Sequence, residues 1–364
     1  MKKVFLVIGT RPEAIKMAPV YQALKRRPEI HTTLISTGQH RELIDQALGA
    51  FGMVPDLDLR VMRPGQSLSG LTCAILSGLE KAFARATPDL VLAHGDTTTC
   101  FSTALACFYR QIPVAHVEAG LRTYRLDSPF PEEFNRQSVA KLADIHFAPD
   151  DLARKNLLQE GVDDSRISVT GTTTLDAIRA IQGRNSRPVS NTPIAVVTLH
   201  RREQGPESLR EMLNGLKTAA GLSPETTFIC PIHPNPSVQH AAHEILGDVR
   251  NIRLIPPVEY RDFVGLLSQA KVVITDSGGI QEEAAYLGKR VLLLRDQTER
   301  VDGLKTGQVS VVGTQRVAIT EAIVRALRSP SDTFTKQIDD GSPSDRIACE
   351  VERRLALKSA RRLA

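Results

Sequence analysis

The chain has 364 residues, of which 41% are hydrophobic and 24% are charged. At roughly 100–200 residues per domain this length predicts two domains, and the composition excludes a disordered chain, a collagen and a coiled coil. The net charge of +5 is small for the length, which argues against a nucleic-acid-binding protein and leaves an anionic small molecule as a candidate ligand.

The five cysteines are scattered and include no CxxC pair. They therefore argue against a disulfide framework or a structural zinc site and favour a reducing compartment. The N-terminal apolar run, Val4–Ile8, is too short for a secretion signal and is typical of a first buried strand. No run approaches the ~18 apolar residues of a membrane span. We therefore expect a cytoplasmic protein with no membrane insertion.

Short apolar runs alternate with helical patterns along the chain, which predicts a parallel α/β fold. In the first half the predicted strands are Val4–Ile8, Thr32–Ser36, Leu90–Ala93, Val114–Val117, Ile145–Ala148 and Ile167–Val169, and the predicted helices are Glu13–Arg26, Leu68–Arg85, Thr98–Tyr109 and Leu152–Glu160.

A segment rich in Pro, Ser and Asn, Gly183–Pro193, interrupts this alternation, which then begins again. The sequence thus predicts two similar α/β domains, residues 1–170 and 171–344, with a last helix at about 345–364 that packs back on the first. In the second half the predicted strands are Ile194–Thr198, Thr227–Pro231, Ile252–Ile255, Val272–Thr275 and Val291–Leu294, and the predicted helices are Glu207–Ala220, Tyr260–Gln269, Ile280–Leu287 and Ser344–Leu363.

Polar residues collect where the predicted strands end. Ligands of open parallel sheets bind beyond the carboxyl ends of the strands. We therefore expect both domains to present chemistry on one edge, and the economical arrangement is two parallel sheets that face each other across a central cleft. The polar segments are Gly9–Glu13, Thr37–His40, His94–Thr99, His116–Gly120, Leu199–Glu203, His233–Pro236 and Asp276–Gly279.

The segment Asp276–Gly279 opens a predicted helix, with Ser277 as a good N-cap and Gly278 and Gly279 letting a ligand approach the backbone. The free N–H groups and dipole of a helix N-terminus suit a diphosphate. Glu283, one turn later, is placed to accept from ribose hydroxyls. The alternatives are a plain capped helix and a solvated glutamate.

Arg11 and Lys16 follow the first strand on one predicted helix. Arg11 could bind a phosphate through two N–H groups, and Lys16 adds a second cation. The alternative is ordinary surface charge. Neither GxGxxG nor GxxxxGK[ST] occurs, which weakens the dinucleotide and P-loop interpretations.

Three carboxylates are the candidates for proton transfer. Asp96 and Glu118 end adjacent predicted strands, and Glu132 lies in a proline-rich segment before a helix. A desolvated site would raise a carboxylate pKa toward the range useful for general acid–base catalysis. The alternatives are helix capping by Asp96 and dipole pairing by Glu132. The nine histidines include no HExxH, so no metal is predicted, and no GxSxG is present.

Eight segments together resemble the non-hydrolysing UDP-N-acetylglucosamine 2-epimerases, in family order and over nearly the whole chain. Any one segment is weak evidence, but eight in order are highly specific. They are GTRPEAIKMAPV (9–20), TGQHRE (37–42), HGDTTT (94–99), HVEAGLRT (116–123), SPFPEEFNRQ (128–137), HRRE (200–203), DSGGIQEEA (276–284) and LRDQTER (294–300).

The resemblance implies two Rossmann-like domains in the GT-B-like arrangement and a typically homodimeric enzyme. It also implies interconversion of UDP-N-acetylglucosamine and UDP-N-acetylmannosamine without a cofactor. In this family UDP is eliminated from C1 and C2 to give a bound 2-acetamidoglucal. UDP then adds back after protonation at the opposite face of C2.

The resemblance further assigns roles to matching positions. It places Asp96, Glu118 and Glu132 in catalysis, without deciding which is acid and which is base. His200 matches a phosphate-side position that we include in the catalytic set. The substrate-binding positions are Arg11, Lys16, Phe263, Ser277, Gly278, Gly279, Glu283 and Arg300, and a second, regulatory UDP-N-acetylglucosamine corresponds to Gln39, His40, Arg201 and His233.

Several positions depart from the family pattern, although the three carboxylates are intact. The departures leave open a related, modified UDP-sugar, a hydrolysing relative that releases N-acetylmannosamine and UDP, a GT-B transferase, and a UDP-sugar sensor without activity. The altered positions are Thr172, Gln204, Val301, Asp302, Gly303, Gly65 and Glu42.

Overall fold

The computed structural model describes residues 1–39, 41–182, 192–199, 205–232, 235–296, 298, 302–330 and 341–363. It divides into two compact units, residues 1–180 with 340–364, and residues 181–339. The sequence-based boundary at 170/171 precedes the helix in which this division falls. In the described part of the chain, no helix is both long and apolar enough to span a membrane.

The first unit alternates strands and helices in the order expected of a Rossmann-like fold. Its elements are β1 (Lys2–Ile8), α1 (Arg11–Lys25), β2 (Ile30–Ser36), α2 (Arg41–Ala50), β3 (Leu57–Asp58), α3 (Leu68–Arg85), β4 (Leu90–His94), α4 (Thr98–Tyr109), β5 (Val114–Val117), α5 (Glu132–Leu142), β6 (Ile145–Ala148), α6 (Asp151–Gln159), β7 (Ile167–Val169), α7 (Thr174–Gln182) and, from the C-terminus, α14 (Pro343–Leu363).

The strands of the first unit form one parallel sheet in the order β3-β2-β1-β4-β5-β6-β7 among the described residues. Strands β1, β4 and β5 are buried along nearly their whole length, because helices cover both faces of such a sheet. Phe5, Ile75 and Phe83 pack between the sheet and helices α3 and α4. The order reverses between β1 and β4, which is the topological switch point where ligands of this fold bind.

The C-terminal helix α14 packs against α1, within the first unit. Its start is fixed by Asp176, whose Oδ2 accepts from the Ser342 hydroxyl at 2.9 Å and from the Ser344 amide at 2.7 Å. Ile347 and Val351 are fully buried on its inner face. A helix that follows the second unit in sequence therefore completes the core of the first.

The second unit repeats the same alternation, with elements β8 (Ile194–Thr198), α8 (Gly205–Gly221), β9 (Thr227–Pro231), α9 (Pro236–Leu246), β10 (Ile252–Ile255), α10 (Tyr260–Gln269), β11 (Val272–Thr275), α11 (Gly278–Tyr286), β12 (Arg290–Leu293), α12 (Asp302–Lys305), β13 (Val309–Val311) and α13 (Arg316–Arg328).

Its described strands form a second parallel sheet in the order β10-β9-β8-β11-β12-β13. Counted within the unit this is the order 3-2-1-4-5-6 of a Rossmann sheet, and the switch point lies between β8 and β11. Met212 and Phe228 are buried in the core that α8 and α13 form with one face of the sheet. The predicted fold class, two Rossmann-like domains with parallel sheets, is confirmed.

Most predicted elements are found within one or two residues of their predicted ends. Seven of the predicted strands have the predicted bounds, among them Val114–Val117 and Val272–Thr275. The last one, predicted at Val291–Leu294, is Arg290–Leu293. The sequence did not predict β3 or β13, two short edge strands.

Candidate active site

The first turn of the candidate site joins β1 to α1 and is built around the buried Glu13. Its Oε2 accepts from the amides of Gly9 and Thr10, each at 2.7 Å, and from the Thr10 hydroxyl at 3.0 Å. Its Oε1 accepts from the Thr97 hydroxyl at 2.6 Å, across to the turn after β4. Burial nevertheless raises the pKa of Glu13 above its ordinary value, because desolvation outweighs these hydrogen bonds. Glu13 thus fixes two strand-end turns to each other.

Gly9 is required by a close approach at this turn. A Cβ on Gly9 would lie 1.9 Å from the Oγ1 of Thr99 and 2.6 Å from the Oγ1 of Thr37. These two hydroxyls are 3.1 Å apart, and Thr99 also donates to the Oε1 of Gln39 at 3.0 Å. The ends of β1, β2 and β4 are therefore held together by small and hydroxyl-bearing residues.

Glu118 directly follows β5 and lies between two basic side chains. Its carboxylate forms a short ion pair with the Nζ of Lys16, and its Oε2 lies 3.3 Å from the Nε2 of His94, without hydrogen-bond geometry. The side chains of all three are at most one-tenth exposed. Glu118 has φ +63°, a left-handed conformation that a non-glycine residue adopts at a cost of ~1–3 kcal/mol. Such strain is typical of functional positions.

Asp96 follows β4, the neighbour of β5 in the sheet, after the tight turn at Gly95. The guanidinium of Arg136 on α5 donates to Oδ2 of Asp96 from Nε at 2.8 Å and lies 2.7 Å from it through Nη2. Asp96 does not cap the following helix, because the Thr97 hydroxyl accepts from the Cys100 amide in that role. The capping alternative for Asp96 is therefore wrong.

Glu132 is the first residue of α5, one turn before Arg136. The next residue, Glu133, is fully buried and accepts from the amides of Thr123 and Tyr124, each at 3.0 Å. Helix α5 therefore begins beside the segment that follows Glu118 and contacts Asp96 with its second turn. The three candidate carboxylates belong to one edge of the first unit's sheet.

The second unit carries a separate candidate site where β11 runs into α11. The Thr275 hydroxyl accepts from the Ser277 amide at 3.0 Å and from the hydroxyl of Thr198 on β8 at 2.8 Å. Ser277 occupies the N-cap position, yet its hydroxyl makes no capping bond to the described first turn of α11. A Cβ on Gly279 would meet only the Ser277 Oγ, at 3.9 Å. The start of α11 is thus an open helix N-terminus at a strand switch point.

Two further candidate side chains lie in the second unit. Glu283 is nearly buried on α11, and Phe263 is nearly buried on α10. A buried carboxylate and an aromatic ring on neighbouring helices of one sheet are the groups that a nucleoside would need.

The sequence itself matches a known family over most of its length. The model of the family described as UDP-N-acetylglucosamine 2-epimerase matches residues 22–351. The chain belongs to the UDP-N-acetylglucosamine 2-epimerase family. A UDP-N-acetylglucosamine 2-epimerase of Escherichia coli O157:H7 is 45% identical over 361 residues, which cover 95% of this chain and 96% of that protein.

Solved structures agree with this membership. The UDP-GlcNAc 2-epimerase of Neisseria meningitidis, solved with UDP-GlcNAc bound, is 40% identical with a TM-score of 0.89, covering 98% of this chain and all of that one. The co-structure of S. aureus MnaA with UDP is 37% identical with a TM-score of 0.91, covering 98% of both chains. The family resemblance predicted from sequence motifs is confirmed.

Within this epimerase-family chain, the structure brings part of the predicted site together. Asp96, Glu118, Glu132 and Lys16 meet at one sheet edge, with Arg11 at the first residue of α1. Gln39 lies at the end of β2, held by Thr99. Ser277, Gly278, Gly279, Glu283 and Phe263 lie in the second unit. The predicted residues His40, His200, Arg201, His233 and Arg300 lie outside the described residues.

Sequence reasoning missed several residues that hold this site. Glu13 was detectable, because Thr10 and Glu13 have the T-x-x-E spacing of a capping box. Arg136 and Asn135 gave no such signal, since their partner Asp96 is about 40 positions away in the chain. No group of three or more metal-ligating side chains occurs among the residues that the structure describes.

Proposed function

We propose that this protein is a non-hydrolysing UDP-N-acetylglucosamine 2-epimerase, an isomerase that interconverts UDP-N-acetylglucosamine and UDP-N-acetylmannosamine. One observation carries the proposal: in a chain of this family, Asp96 and Glu118 end two adjacent strands, and α5 brings Glu132 to the same edge. Carboxylates so arranged suit proton transfer at a carbon between two faces of a sugar ring.

The proposed reaction needs neither an oxidant nor a reductant. A carboxylate removes the C2 proton as the C1–O bond to UDP breaks, which leaves a C1=C2 double bond in 2-acetamidoglucal. A proton is then delivered to the opposite face of C2, and an oxygen of the UDP diphosphate bonds to C1 again. Because the C2 proton is only weakly acidic, stabilisation of the departing diphosphate and of positive charge at C1 must supply much of the rate enhancement.

The proposed catalytic groups are Asp96, Glu118, Glu132 and His200. The ion pair with Lys16 and the contact with His94 support Glu118 as a charged group in the reaction. The forward and reverse reactions exchange the roles of acid and base, so a carboxylate that accepts a proton in one direction donates it in the other.

We propose that the second unit holds the nucleotide. The open N-terminus of α11 supports a diphosphate site, because unpaired backbone N–H groups and the helix dipole attract anions. The nearly buried Glu283 supports a contact with the ribose hydroxyls. The full proposed set for the UDP-sugar is Arg11, Lys16, Phe263, Ser277, Gly278, Gly279, Glu283 and Arg300.

Three finer proposals accompany the function. A second, regulatory UDP-N-acetylglucosamine would use Gln39, His40, Arg201 and His233. A homodimer is supported by exposed apolar side chains on α3 and α4, including Phe108, which is 59% exposed. A cytoplasmic location is supported by the free cysteines. Light scattering, with and without UDP-N-acetylglucosamine, measures the oligomeric state.

Incubation with UDP-N-acetylglucosamine in D2O, followed by proton NMR, tests the function. Deuterium at C2 together with UDP-N-acetylmannosamine is the expected result. Exchange only on a related UDP-sugar would keep the chemistry and change the substrate. Free N-acetylmannosamine would identify a hydrolase, and sugar transfer without C2 exchange would identify a transferase.

The variant Asp96→Asn tests the proposed site directly. We expect turnover to fall by roughly 10²–10⁴-fold, the usual contribution of a positioned proton-transfer group, while UDP affinity persists. Asp127→Asn is the matched control, because Asp127 lies in the same unit with a side chain 75% exposed. Full activity of Asp96→Asn would remove Asp96 from the catalytic set.

A further inference from the structure

Arg136 controls the orientation of the Asp96 carboxylate. Its side chain is only 6% exposed, and both of its donors, Nε and Nη2, end on the same oxygen, Oδ2. Among the residues that the structure describes, no other side chain hydrogen-bonds that carboxylate. Since a guanidinium holds its N–H groups in a rigid plane, two bonds to one oxygen fix that oxygen and leave Oδ1 for another partner.

The neighbouring residue on α5 holds the backbone at the same point. The Nδ2 of Asn135 donates to the main-chain carbonyl of Asp96 at 2.7 Å. Two consecutive residues of one helix therefore fix both the main chain and the side chain of Asp96. Gly95, with φ +70°, provides the tight turn that makes this approach feasible.

Arg136 is in turn held by Glu133. The Nη1 of Arg136 lies 3.5 Å from Oε2 of Glu133, a fully buried carboxylate. Glu133 also accepts from the Thr123 and Tyr124 amides and, at 2.9 Å, from the Nε2 of Gln137. A continuous set of charged and polar contacts thus runs from the segment after Glu118 to Asp96.

We propose that Arg136 is a positioning residue for the epimerase reaction, which holds Oδ2 of Asp96 so that Oδ1 addresses the sugar. The inference rests on the proposed function and deepens it. A guanidinium stays charged at any working pH, and a lysine cannot reproduce its planar donors. A displacement of ~1 Å in a reacting group can cost ~10²-fold in rate, so loss of Arg136 acts on turnover.

The test compares Arg136→Met and Arg136→Lys with Arg122→Met. Arg122 is a matched control, because its side chain is also buried and it donates to Glu160 at 2.6 and 2.9 Å, yet it does not contact Asp96. We expect Arg136→Met to lower kcat by ~10²-fold with KM changed by less than about threefold. Arg136→Lys should recover only part of this loss. An equal loss of kcat in Arg122→Met would overturn the inference.

A double variant separates positioning from general structural damage. If Arg136 acts through Asp96, then adding Arg136→Met to Asp96→Asn lowers kcat by less than about threefold further, because the two residues form one coupled unit. A further loss of about 10²-fold, additive with the first, would contradict the inference.

Failure of the proposed function is detected separately, by the unmodified chain. If the unmodified chain exchanges no C2 proton on any UDP-sugar tested, the epimerase proposal fails. Crystal structures of the unmodified chain and Arg136→Met then decide the positioning of Asp96. A carboxylate displaced by about 1 Å or more supports the inference, and an unmoved one refutes it.

Discussion

Two buried histidines should make the first unit sensitive to mild acid. His116 on β5 and His146 on β6 are direct partners in the sheet and are at most 1% exposed. Burial lowers the pKa of His116 to about 4 and that of His146 to about 3, and their mutual repulsion adds to the effect. His116 also donates from Nε2 to the Gly95 carbonyl at 2.6 Å, in the turn before Asp96, which assigns the neutral tautomer.

The sign of the effect follows from the proton balance. In the unfolded chain both histidines titrate near pH 6.5, well above their pKa in the folded chain. Their contribution to stability is therefore complete above pH 6.5 and is lost as the pH falls toward about 4 and 3. Between pH 7.5 and pH 5 each histidine should lower the free energy of unfolding by about 2 kcal/mol.

Hydrogen exchange measured by mass spectrometry on peptides from β5 and β6 reports unfolding of this unit itself. We expect His146→Leu to reduce the pH dependence between pH 7.5 and 5 by about 2 kcal/mol. His240→Gln is the control, because that side chain is 85% exposed. If His146→Leu and the unmodified chain lose protection equally on acidification, the reasoning from burial is refuted.

Two further changes test the turn after β1. Gly9→Ala should lower the unfolding free energy of the first unit by about 2 kcal/mol or more, because the new Cβ meets the Thr99 Oγ1 at 1.9 Å. Lys16→Met should lower kcat at least about tenfold, because it removes the cation paired with Glu118, whereas Arg11→Met should mainly raise KM for the UDP-sugar.

Each change has its own control and its own contrary result. Gly49→Ala is the control for overpacking, because a Cβ at Gly49 meets no atom within 4 Å; equal stability of Gly9→Ala would contradict the packing argument. Lys16→Arg keeps the charge and should retain part of the activity. If Lys16→Met raised KM and left kcat unchanged, Lys16 would act on the substrate rather than on Glu118.

The parallel sheets could be predicted from sequence because strands covered on both faces have nearly continuous apolar runs. Val114–Val117 and Val272–Thr275 are such runs, ended by polar residues. The edge strands Leu57–Asp58 and Val309–Val311 are two and three residues long and largely half-exposed or exposed, so no apolar pattern identified them.

The candidate site was predictable in its residue types and only partly in its contacts. A strand end places a carboxylate at a known edge, which is why Asp96 and Glu118 could be named. The ion pair of Asp96 with Arg136 depends on how α5 packs beside β4, and that packing has no local signature in the sequence.

The two cations after β1 show why such contacts require the fold. Arg11 and Lys16 are both basic and close in sequence, so the sequence predicted a phosphate for each of them. Five residues along a helix correspond to a rotation of about 140°, so the two side chains leave α1 in different directions. Lys16 is directed inward and pairs with Glu118, while Arg11 makes no ion pair within the described part of the chain. The cation that the fold leaves to an incoming diphosphate is therefore Arg11, and Lys16 belongs with the carboxylate it contacts.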